Sequence, residues 1–94
     1  MEQMPPKEES HETRLRRLRM RSWRRGMKEM DLILGKFADT QLASLSTESL
    51  DSHEHLMNQP DQEIYSWITG AAPTPSEFSP AIARILANLS VRSS

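Results

Sequence analysis

Cysteine is absent from the 94-residue chain. That rules out a disulfide framework, a thiolate zinc site and a cysteine nucleophile, and it fits a reducing compartment. Glycine occurs only at positions 26, 35 and 70, which leaves no phosphate-cradling loop and no dinucleotide fingerprint. No apolar run approaches the ~20 residues a helix needs to cross a bilayer. The N-terminal MEQMPPKEESHE has no apolar signal core, and Glu2, Glu8, Glu9 and Glu12 argue against an acid-poor transit peptide. No stretch of four or more residues alternates with period two, so no strand is expected. A chain this short forms one domain at most and buries only roughly 60–65% of its unfolded surface. There is little room for a deep substrate cleft, and no G-x-S-x-G elbow surrounds Ser46, Ser49 or Ser52. No catalytic residue is assigned and an enzyme is not expected. His53 and His55 are two apart and face different ways on a helix. Asp51 and His55 share a face, but two ligands do not make a metal site, so no metal centre is expected.

What the chain does have is strongly segregated charge. The net value of −1 conceals −3 over residues 1–13, +7 over 14–36 and −5 over 37–94. A division of this kind governs association more than fold. Seven arginines fall within residues 14–25. They could neutralise nucleic-acid phosphates, but the acidic remainder would repel the same backbone, and no zinc finger or clear helix-turn-helix is present. A solvated face would be unusually dense in arginine. Guanidinium forks suit an acidic or nucleotide-bearing protein partner best.

Residues 1–10, with Pro5 and Pro6, read as a disordered tail. A helix is expected from His11 to Arg25, with Leu15, Leu18, Met20 and Trp23 as a ragged apolar stripe. Gly26 is expected to end it in the left-handed conformation. A second helix follows at once, its face set by Met27, Met30, Ile33, Leu34, Phe37 and Ala38. With Gly26 as N-cap, Glu29 would stand at the third helical position, as in a capping box. Gly35 marks a bend or a close crossing, and Trp23 a guanidinium stack or an interface. A third helix over 47–58 is capped by Ser46 or Thr47 and carries Leu50, Leu56 and Met57. Pro60 breaks the chain, Asp61 caps a fourth helix with Ile64, Tyr65, Trp67 and Ile68, and Gly70 stops it. Ser79-Pro80 opens a fifth, with Ile82, Ile85, Leu86 and Leu89. The expected fold class is all-α: a compact five-helix bundle over residues 11–90, a single domain with frayed residues 91–94.

The sharpest junction is Arg25-Gly26-Met27-Lys28-Glu29, where arginine-rich helix meets amphipathic helix. No other segment offers competing chemistry. Arg21, Arg24, Arg25, Gly26, Met27, Glu29 and Asp31 are therefore the candidate partner-binding residues. Gly26 and Glu29 read equally well as a turn glycine and a first-turn acid.

This junction resembles the flavinylation factors of succinate dehydrogenase, the SdhE proteins of bacteria, called succinate dehydrogenase assembly factor 2 in mitochondria. The hallmark R-G-x-x-E is met by Arg25, Gly26 and Glu29. It is followed by Asp31, by an apolar helix ending in Phe37, and by Asp61, Tyr65 and Trp67 in an Asp-x-x-x-aromatic-x-Trp pattern. The resemblance covers about residues 11–90 and implies a five-helix bundle. It also implies a flavinylation chaperone that binds the flavoprotein subunit of succinate dehydrogenase, with the fumarate reductase flavoprotein as a second candidate client. FAD is then the group attached to a histidine of the partner and is not stably bound by the factor. The implied state is a monomer without nucleic acid or membrane insertion. The implied location is the bacterial cytoplasm, or the mitochondrial matrix in a eukaryote. The competing reading is a nucleic-acid-binding or toxin–antitoxin-type regulator that uses the arginine-rich helix.

Overall fold

The computed structural model describes residues 9–93, with side chains over 9–89; residues 1–8 of the expected tail, and Ser94, lie outside it. The described residues form five α-helices and two short 3-10 turns, with no strand among them. Helix α1 (His11–Ser22) opens at Ser10, whose hydroxyl accepts the Thr13 N–H at 3.1 Å. Glu9 is clasped by Arg17 at 2.9 Å. These two residues at the edge of the expected tail therefore belong to the helix start. The buried side of α1 is Leu18 and Ser22, with Leu15 packed beside them. Met20 and Trp23 face outward, so the expected stripe holds only in its first half.

Helix α1 stops four residues short of Gly26, a correction to the sequence reading. Trp23 leaves the helix and lays its ring over Gly35. A Cβ at position 35 would overlap Cδ2 and Cε2 and would sit 2.6 Å from Cε3. The indole Nε1–H also donates to Asp39 Oδ1 at 3.3 Å. Gly35 is thus a slot for an aromatic ring and does not mark a bend. The slot reverses the usual effect of alanine. In an open helix Gly→Ala gains about 1 kcal/mol, whereas overpacking costs about 1–3 kcal/mol. Gly35→Ala is expected to lose stability on urea denaturation and to red-shift tryptophan emission as Trp23 is displaced. Higher stability with unchanged emission would contradict the slot.

Helix α2 (Lys28–Gln41) is the central element. Its N-cap is Met27, in extended conformation, and no side chain caps it. Glu29 therefore stands at the second helical position, and the expected capping box does not form. Met30, Leu34 and Phe37 meet Ile64 and Trp67 of α4 (Asp61–Thr69) and Ala81, Ile82 and Ile85 of α5 (Ser79–Ser93) in the main core. A smaller cluster joins Leu18, Ala38, Leu42 and Leu50. Helix α3 (Thr47–Met57) is capped by the Ser46 hydroxyl, which accepts the Ser49 N–H at 3.1 Å. His53 fills an apolar position of α3 at 1% exposure and stacks on Phe37, centroids 5.2 Å apart.

Pro60 takes the N-cap of α4, which moves Asp61 from the expected cap into the first helical position. Gly70 ends α4 at φ 83°. A 3-10 turn, Ser76–Phe78, leads into α5, so Ser79 is helical and not a cap. The helix runs on to Ser93. No described helix is long and apolar enough to cross a membrane.

Candidate functional site

The arginines of α1 divide by what they face. Arg14 reaches Asp51 at 2.7 Å and Glu54 at 2.9 Å, and Arg17 reaches Glu54 at 3.0 Å. Burial alone would raise the Glu54 carboxyl, but the Arg17 and Arg14 guanidiniums outweigh it and hold the group below its ordinary value. These ion pairs fasten α1 to α3. Arg16, Arg19 and Arg24 are exposed and have no carboxylate partner among the described residues.

Between α1 and α2 lies a five-residue turn, Trp23 to Met27, and Arg25 holds it from within. Its side chain is only 9% exposed. Nε donates to Asp61 Oδ1 at 2.6 Å, Nη1 to the Met57 carbonyl at 2.9 Å and Nη2 to the Gln59 carbonyl at 3.0 Å. Arg21 adds a second guanidinium on the Met57 carbonyl at 3.1 Å and bonds Asn58 Oδ1 at 3.0 Å. The geometry follows from helix ends. Met57 closes α3, where unpaired carbonyls attract cations, and Asp61 opens α4, where a carboxylate is favoured. One planar fork therefore satisfies the end of one helix, the start of the next and the loop between them. The backbone N–H of Arg25 is held by Asp31 Oδ1 at 2.6 Å, which ties the turn to the first turn of α2.

The seven candidate residues thus fall into two groups. Arg21, Arg25 and Asp31 brace the turn from inside, and Met27 packs partly into the main core. Arg24, Gly26 and Glu29 are exposed at its apex. Gly26 has φ 96°, which only glycine adopts without strain, and a Cβ there would meet nothing closer than Asp61 Oδ2 at 3.9 Å. Its requirement is conformational and not spatial. The Glu29 side chain makes no hydrogen bond or ion pair among the described residues. Arg25, named from the sequence as a partner-binding candidate, is held inside by three acceptors. Asp61 belongs to the site, although sequence reasoning gave it only a capping role. The only sequence signal was its place after Pro60 at the start of a helix.

An open groove of about 470 Å³ continues from this turn along α1, lined by Thr13, Arg16, Arg17, Met20, Arg21, Arg24 and Arg25.

A family model described as "Flavinator of succinate dehydrogenase" matches residues 16–89, which contain the braced turn, α2, Asp61 and Trp67. The chain belongs to that family. Among similar curated proteins is the mitochondrial succinate dehydrogenase assembly factor 2-A of Drosophila yakuba. It is 42% identical over 77 residues, covering 80% of this chain and 48% of that protein. The mitochondrial succinate dehydrogenase assembly factor 2 of Meyerozyma guilliermondii is 44% identical over 61 residues, covering 65% of this chain and 45% of its own. That of Mycosarcoma maydis is 35% identical over 71 residues, covering 76% and 30%. The chain thus spans about half, or less, of the length of these relatives. No solved structure matches it. Arg25 and Gly26 lie in the braced turn, and Glu29 in the first turn of α2.

Proposed function

We propose that this chain binds the flavoprotein subunit of succinate dehydrogenase and promotes covalent attachment of FAD to it, as a monomeric chaperone and not as an enzyme. Family membership supports the partner, and the braced turn supports the mode of action. Arg25 is consumed by internal bonds, which leaves Gly26, Glu29 and Arg24 as a rigid, exposed apex. A preorganised turn pays little ordering entropy on docking. The covalent bond forms within the flavoprotein, with FAD as cargo. The factor's contribution is to hold the immature subunit so that flavin and histidine are correctly placed. The fumarate reductase flavoprotein is a second client of the same chemistry.

The test is Gly26→Arg. Any side chain at φ 96° is strained by about 1–3 kcal/mol, and arginine places bulk at the apex. Co-expressed with the flavoprotein, the variant is expected to give little covalent flavin by in-gel fluorescence, while circular dichroism still shows a helical fold. Full flavinylation by the folded variant would refute the apex as the docking element.

A further inference from the structure

The groove on α1 opens from the turn at Arg24 and Arg25 and runs along the helix, where its chemistry differs from that of the apex. At its two ends, Arg16 and Arg24 are exposed and unmatched by carboxylates among the described residues. Between them Met20 is 47% exposed, one of four large exposed hydrophobics among the described residues. Elsewhere on α1 the chain does neutralise arginines, pairing Arg14 and Arg17 with Asp51, Glu54 and Glu9. An exposed methionine thus lies between guanidiniums that have no carboxylate partner among the described residues.

We infer that this groove binds an acidic segment of the client polypeptide, with an apolar side chain between carboxylates. The inference rests on the proposed function for the identity of the client. From Thr13 to Arg21 the floor runs roughly 12 Å at 1.5 Å per residue, the length of about two turns of a facing helix. Arg16 and Arg24 offer planar forks that match carboxylates, and Met20 adapts its shape to an apolar anchor. Charge complementarity favours a peptide over a phosphate lattice. Glu9, Asp51 and Glu54 already pair with Arg14 and Arg17, which leaves a short stretch of positive charge that suits a short acidic segment better than a continuous polyanion or an anionic bilayer.

The probe is a fluorescein-labelled peptide of about twelve residues, glutamate-rich with central leucines and long enough for about three helical turns, read by fluorescence anisotropy on the full chain. Controls are the same peptide with serine for leucine, a single-stranded oligonucleotide, and phosphatidylserine vesicles. Arg16→Glu and Met20→Ser are each expected to weaken peptide binding by about tenfold or more, as loss of a desolvated charge pair or anchor does. Arg19→Glu makes the same charge change outside the groove and is expected to cost less than about twofold, as a rim charge does. Equal losses for Arg16→Glu and Arg19→Glu would overturn the site, as would equal binding of the serine peptide. Binding of the oligonucleotide or vesicles in place of the peptide would overturn it as well. A second arm repeats the variants against purified apo-flavoprotein. If wild type binds the peptide but not the flavoprotein, the client is wrong and the acidic-peptide groove stands. If it binds the flavoprotein and Arg16→Glu has no effect, the groove is wrong and the client stands.

Discussion

Arg25→Ala is expected to lower unfolding stability by about 3 kcal/mol, the usual result of removing one member of a buried ion pair. For a chain of this size that is a fall in Tm of roughly 10–20 °C. The magnitude follows from what is left behind. Asp61, only 18% exposed, loses its cation, and the Gln59 carbonyl loses the donor that Arg25 supplied. The Met57 carbonyl keeps only Arg21. Arg24→Ala, one residue earlier and exposed, is expected to change stability by no more than about 0.5 kcal/mol while still reducing affinity for the flavoprotein. Arg25→Lys should recover only part of the loss, because a single ammonium cannot match a fork directed at three acceptors. Thermal unfolding of the three variants side by side is the measurement. Equal effects at positions 24 and 25 would mean that the brace is not what holds the turn.

The second large effect is a pH dependence centred on His53. Burial first, then the Arg84 and Arg25 charges, depress its pKa from 6.5 to about 4. Neither ring nitrogen has a hydrogen-bond partner among the described residues. The folded pKa lies below the unfolded one, so the unfolded chain binds more protons between them. The stabilisation is complete above pH 6.5, is lost progressively as pH falls, and is gone below about 4. At 1.36 kcal/mol per pH unit the loss is about 3 kcal/mol. The carboxylate of Glu54, held below its ordinary value of 4.5, contributes its own loss only below that pH, so the two windows are largely separate. His53→Phe keeps the ring beside Phe37 and is expected to remove the loss between pH 6.5 and 4.5 in urea titrations. Parallel slopes for variant and wild type would show that His53 is not the group responsible.

Why the sequence revealed some of this and not the rest can be read residue by residue. The amphipathic spacing of α2, the Ser46 cap and Gly70 as a stop are local signals, and each appears where expected, whereas on α5 Ile82 and Ile85 are buried but Leu86, expected on the same face, is 40% exposed. The end of α1 is different. Propensity favours helix up to Arg25, but the Trp23 ring gains a seat on Gly35 and the Arg25 N–H gains Asp31. Tertiary contacts of this kind override weak propensities. The inward turn of Arg25 depends on carbonyls more than thirty positions away, and no local pattern encodes that. His53 was legible in part, since it lies three residues from both Leu50 and Leu56 on the buried stripe. Its polar ring hid the assignment. Of the candidate site, the motif pointed to the segment, but neither the division into brace and apex nor the part of Asp61 could be read from it.

That division is tested most directly at Glu29, whose side chain is exposed and makes no bond among the described residues. Titration calorimetry of Glu29→Ala against purified apo-flavoprotein, with Tm recorded on the same samples, separates contact from folding. The expected result is an unchanged Tm with affinity weakened about tenfold or more, as for an interface hot spot. Wild-type affinity at unchanged Tm would contradict the apex as the docking surface.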